Sequence, residues 1–97
     1  MNIVRIGPID YEIVYMPGLR DGDLKLDGWF KFPESRILIE ESLSNQARRQ
    51  ILWHEILHGI FNQFGGLSEG RKEEEVIDAL AYSMMNILRD NPELGKS

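Results

Sequence analysis

Hydrophobic positions along the chain change period near residue 42. In "MNIVRIGPIDYEIVYM" the apolar residues alternate: Ile3, Val4 and Ile6, a break at Gly7-Pro8, then Tyr11, Ile13 and Tyr15. That alternation predicts a pair of strands within residues 2–16. "WFKF" (29–32), the turn "PES" and "RILIE" (36–40) predict a β-hairpin. Residues 17–28 between them form a Gly- and Asp-rich loop, with Leu24 and Leu26 as its apolar fixings. Beyond residue 42 the period becomes helical. Ser42 or Ser44 caps a helix expected from about Asn45 to Phe64, ending at Gly65-Gly66. A second helix is expected from about Lys72 to Arg89, stopped by Asn91-Pro92, with residues 90–97 as a frayed tail. Strands followed by helices predict one α+β domain over residues 1–97: a small N-terminal antiparallel sheet packed on two long helices.

Composition narrows the functional classes. A chain of 97 residues buries roughly 60–65% of the surface its unfolded form exposes, so its core is modest and a bound metal could matter to its stability. The net charge of −5 argues against a protein that tracks nucleic-acid phosphates. The doublets Arg48-Arg49 and Arg71-Lys72 fit solvated helix faces. There is no cysteine, which removes disulfides and thiolate metal sites and leaves histidine and carboxylate as the ligands for any metal. The N-terminus lacks the basic flank and apolar run of a signal peptide, and no stretch of 18 apolar residues occurs. The expectation is a cytoplasmic protein with neither nucleic acid nor membrane as partner.

Candidate chemistry sits in "ILWHEILHGIF" (51–61), which holds both histidines of the chain in an otherwise apolar run. With His54 at 0° on a helical wheel, His58 falls at about 40° and Glu55 flanks them at about 100°. Residues Leu52, Trp53, Ile56, Leu57, Ile60 and Phe64 fill most of the remaining circumference, as in a buried central helix whose imidazoles face the interior or a cleft. His-x-x-x-His places two neutral imidazoles where both can ligate one Zn²⁺, with Glu55 beside the metal as a base rather than a ligand. Zinc lowers the pKa of its water toward about 7, and the glutamate takes the proton as that water attacks a carbonyl. The competing account is a pair of core histidines bonded to backbone. The pattern arises by chance in roughly one such chain in 500, which favours the metal.

A catalytic zinc keeps three protein ligands and an open position. With both histidines used, the third must be Asp or Glu, and "RKEEEVIDALAYSMM" on the second helix supplies candidates. The apolar stripe Val76, Ile77, Leu80, Ala81, Met84, Ile87 and Leu88 should pack on the first helix. Glu73 lies within that stripe, Glu74 at its edge, and Glu75 points away. Periodicity favours Glu73 slightly over Glu74 and leaves both open. An acidic first turn also complements the helix dipole without any ligand role.

"HEILH" on one helix and a glutamate-bearing second helix resemble the gluzincin metallopeptidases. "RRQILWHEILHGIFNQFG" and "VIDALAYSMMNILRDNPEL" are similar in particular to the minimal gluzincins and the small ImmA/IrrE-like proteins of phages and mobile elements. The resemblance covers roughly residues 28 to 94 and implies a minimal zincin-like fold and a peptidase with one zinc per chain, acting on a peptide or protein substrate. In that family the third ligand opens a Glu-x-x-x-Asp pattern. This implies Glu74 as ligand, in place of Glu73, with Asp78 supporting a zinc-binding histidine. The resemblance further implies that a strand ahead of the zinc helix holds an extended substrate by edge pairing. Ile37, Leu38 and Ile39 of "RILIE" are the position-matched segment, with Trp29 and Phe30 beside it. The chain departs from the better-known gluzincins in having no third histidine for the oxyanion. Tyr82, Tyr11, Tyr15 or an arginine would serve instead, or the chain is a non-catalytic zinc-binding regulatory or interaction module.

Overall fold

The computed structural model describes residues 2–64 and 73–96. Six strands come first: β1 (Ile3–Ile6), β2 (Ile9–Met16), β3 (Arg20–Asp21), β4 (Leu24–Lys25), β5 (Gly28–Lys31) and β6 (Arg36–Glu40). Two helices follow, α1 (Asn45–Phe64) and α2 (Glu73–Asp90), then a short 3-10 helix over Pro92–Gly95. The class is α+β, with a four-stranded sheet in the order β1-β2-β6-β5 and a separate two-stranded ribbon of β3 and β4.

The sheet is mixed, not antiparallel as the sequence suggested. Two antiparallel hairpins, β1–β2 and β5–β6, join through a parallel β2–β6 pairing in which Ile13 lies opposite Ile37 and Tyr15 opposite Ile39. The physical reason lies in β6. Ile37 and Ile39 are buried on one face, while Leu38 and Glu40 are buried on the other. A strand covered on both faces belongs inside a sheet. Placing β6 beside β2 leaves its hairpin partner β5 at the edge and makes the central pairing parallel.

One face of the sheet carries the main core. Val4, Ile6, Tyr11, Ile13, Ile37 and Ile39 meet Leu52, Ile56 and Ile60 of α1, whose four-residue spacing forms one stripe. Ile87 of α2 and Leu94 join them. Ser44 and not Ser42 caps α1: its Oγ accepts the Ala47 amide at 3.2 Å. Gly59 lets α1 lie close to the sheet: a Cβ there would stand 2.9 Å from Ile6 Cδ1 and 3.2 Å from a Phe30 ring carbon. The expected helix stop at Gly65-Gly66 lies outside the described residues.

Residues 17–27 are tied to the sheet at the end of β6. Leu19 is the buried anchor of this loop, whereas Leu24, expected to fix it, is largely exposed. Glu40 is buried and its carboxylate accepts the Leu19 amide at 2.8 Å and the Ser42 amide at 2.9 Å. These bonds tie the loop and the β3–β4 ribbon to the end of β6. The segment expected to fray after α2 is also ordered by burial: Leu94 enters the core, and Arg49 donates to its carbonyl at 3.2 Å.

Candidate active site

α1 presents His54 and His58 at a cleft of about 630 Å³. Both imidazoles are exposed, while Glu55 between them is buried at 5% exposure. The helix is therefore not closed all round, and the ionisable group it buries is the carboxylate rather than the histidines. The two Nε2 atoms stand 3.2 Å apart, with the rings edge to face at 75°. Two nitrogens bound to one tetrahedral zinc at 2.0–2.1 Å would be separated by about 3.3 Å. The separation of the two nitrogens thus matches that of a shared tetrahedral cation.

Glu55 is held from three sides. Burial pushes its carboxyl above the usual carboxylate range, and the neighbouring His58 and His54 and the backbone amide of Phe30 pull it part of the way back. Opposite it stands Gly28, where a Cβ would lie 2.7 Å from Glu55 Oε2 and 2.5 Å from Ile51 Cγ2. Only a residue without a side chain lets β5 approach the carboxylate this closely.

The wall facing the histidines is β5, through Gly28 and Phe30, with Trp29 at its rim. Asp21 and Leu26 from the ribbon loop close one end, and Phe61 and Asn62 of α1 extend the floor beyond His58. In an antiparallel pair, alternate residues bond to the partner strand. The Phe30 amide goes to Glu55, so Phe30 turns its backbone toward the open side of β5.

This geometry corrects the expected substrate strand. Ile37, Leu38 and Ile39 lie on β6, which is paired on both sides, with β2 and with β5. All three side chains are buried. β6 therefore has no free edge to offer, and the free edge beside the histidines belongs to β5.

The expected third ligand lies outside the described side chains. Glu73, Glu74 and Asp78 fall on α2, whose backbone is described, but their side chains lie outside the described set. Among the described residues no group of three or more His, Asp or Glu side chains comes together as a metal site.

None of the three tyrosines expected near the oxyanion lines the cleft. Tyr11 is fully buried behind Phe30, their ring centroids 5.0 Å apart, and its hydroxyl finds no partner among the described residues. Tyr15 lies under Arg48, and Tyr82 is 67% exposed on α2.

Compared with known protein families, curated proteins and solved structures, this chain matches none. Sequence reasoning passed over Gly28, Asn62 and Glu40. Gly28 had one available signal, a glycine opening a strand directly before two aromatics. Asn62 also had one, its place one turn beyond His58.

Proposed function

We propose that this chain is a zinc-dependent metallopeptidase with a minimal zincin-like, gluzincin-type site, acting on peptide or protein substrates in the cytoplasm. The observation that carries the reading is the 3.2 Å approach of the two Nε2 atoms directly beside a buried glutamate. His54 and His58 would hold the metal, with Glu74 from α2 as third ligand and Asp78 behind one of the histidines. A zinc ion held there supplies Lewis acidity, lowering the pKa of a water toward about 7 and polarising a carbonyl.

The chain's own residues supply the rest. Glu55 accepts the proton of the attacking water and passes it to the leaving nitrogen. Its burial makes it a stronger base than an exposed carboxylate, and the Phe30 amide fixes its orientation. An extended substrate lies along the open edge of β5, where main-chain pairing aligns the scissile bond over the histidines. Phe61 and Leu26 give that groove apolar walls.

Elemental analysis tests this reading. About one zinc per chain in the parent, its loss in His58→Ala, and cleavage of unfolded casein by the zinc-loaded parent are the expected results. A parent that takes up no zinc after readdition, or that takes it up and cleaves nothing, would overturn it. The three tyrosines standing away from the cleft favour a second reading, a zinc-binding interaction module of phage or mobile-element type. Its signature is a partner that stays bound to the zinc-loaded chain and is not cut.

A further inference from the structure

We propose that Asn62 is the oxyanion donor of this cleft: its carboxamide N–H meets the carbonyl oxygen of the scissile bond as negative charge builds there. This rests on the peptidase reading. When the water oxygen adds to the carbonyl carbon, the C=O π pair moves onto oxygen and the water's proton goes to Glu55. As the C–N bond breaks, that pair returns and the proton leaves with the amine. A donor aimed at the oxygen during this interval lowers the barrier, because the charge is greater there than in the substrate.

Four observations converge on Asn62. It sits one helical turn beyond His58 and two beyond His54, stepping about 40° per turn, so it continues the face that carries both imidazoles. It lines the same cleft. Helical side chains lean toward the N-terminus, which tilts its carboxamide back over His58 and not away from it. It is exposed, and no described residue hydrogen-bonds its side chain.

The adjacent amide sharpens the assignment. Gln63 donates to the Ile6 carbonyl and packs against Gly7, so the fold consumes it. Asn62, next to it in sequence, is left to the cleft. Apart from the imidazoles, the remaining side-chain N–H donor on the lining is Trp29. That residue alternates with Gly28 and Phe30, which face α1, so it emerges on the other side of β5, and Lys31 stacks over its ring at 4.4 Å.

The test uses the zinc-loaded full chain, with parent, Asn62→Ala and Asn62→Asp compared. Casein-derived fluorogenic peptides report turnover. Calorimetry gives the affinity for a phosphinic peptide, a tetrahedral anion, and in a Glu55→Gln background for the matching planar peptide. Both Asn62 variants should keep about one zinc per chain and lose about 10²–10³-fold in kcat, with KM nearly unchanged. Phosphinic affinity should fall by a similar factor while planar-peptide affinity holds, a split that a merely structural role would not produce. Asn62→Asp, isosteric but without the donor, should be at least as impaired as Asn62→Ala. Turnover and phosphinic affinity intact in Asn62→Ala overturn the proposal alone. A parent that neither cleaves nor binds the phosphinic peptide overturns the peptidase reading and this proposal with it.

Discussion

The sheet has two edge strands, and the fold treats them oppositely. At β1 the outward N–H and C=O of Arg5 are both taken by one side chain: the amide donates to Asn91 Oδ1 at 3.0 Å, and Asn91 Nδ2 donates back at 2.9 Å. The same Nδ2 also reaches the Ile87 carbonyl at the end of α2, 2.9 Å away. A buried carboxamide thus stands in for a neighbouring strand. At β5 the edge is closed only in part among the described residues. The outward Phe30 amide meets the carboxylate of Glu55, and the rest of the edge borders the cleft. An open edge is a liability for aggregation. Closing one edge with a structural amide and leaving the other beside two histidines suits the substrate pairing proposed above.

The largest expected effect comes from removing the base on the open side. Glu55→Gln should keep zinc and fold, and lose about 10²–10⁴-fold in turnover, the usual contribution of a positioned proton acceptor. Parent and variant are compared on the same fluorogenic peptides at equal zinc content. Equal rates would sink the role given to Glu55 and with it the functional contrast between the edges.

Opening the closed edge should come next. Asn91→Ala leaves the Arg5 backbone groups and the Ile87 carbonyl without their partner, at about 1–3 kcal/mol. Denaturant unfolding measures the loss. Sedimentation should also show concentration-dependent self-association of the variant, as β1 then presents unpaired groups. Asn91→Asp keeps the acceptor for the Arg5 amide but sets a buried carboxylate oxygen against the Arg5 and Ile87 carbonyls, so it should destabilise at least as much as Asn91→Ala. A variant as stable and as monodisperse as the parent would mean that the plug is incidental.

Crowding the open edge should do less to stability and more to activity. Gly28→Ala puts a methyl 2.5 Å from Ile51 Cγ2 and 2.7 Å from Glu55 Oε2. Overpacking of this kind costs about 1 kcal/mol at the low end of its range. Turnover should drop by more than that destabilisation explains, because the carboxylate itself must shift, while zinc content stays the same. If activity tracked stability alone, Gly28 would be a packing residue only.

These contrasts were unevenly legible in the amino-acid sequence. A period of 3.6 residues fixes His54 and His58 one turn apart whatever surrounds them, so the paired imidazoles could be placed before any fold was known. The helices α1 and α2 followed from the same periodicity. The hairpins were legible too, since alternation and turn residues are local. Which hairpin strand lies inside the sheet is a global matter. "RILIE" has three apolar residues in a row, which suits a strand covered on both faces, but its neighbour across the sheet is β2, some twenty residues earlier in the chain, and nothing local encodes that parallel pairing. The same blindness concealed the β5 edge and Gly28. Burial of Glu55 rather than of the histidines depended on Gly28 and Phe30, which are distant in sequence. Asn91 looked like a helix stop and nothing more, because the Arg5 backbone it serves lies 86 residues away.

Glu40 offers the finest test, because it acts on the cleft only through the loop. The Ser42 and Leu19 amides hold its carboxyl below the usual carboxylate range. A carboxylate with a lowered folded-state pKa adds stability that is complete above the unfolded value of about 4.3 and disappears as the pH falls through the folded one. Glu40→Gln removes that contribution. The variant should therefore melt below the parent at neutral pH, and the gap should narrow as the medium is acidified past about pH 4. Thermal melts across that window read it directly, and a gap of constant size at every pH would show that packing alone, without charge, holds the loop. Because Leu19 anchors the segment carrying Asp21 and Leu26, the same variant should also raise KM modestly while leaving zinc bound. A looser loop widens the end of the groove but leaves the histidines, Glu55 and the β5 edge where they are.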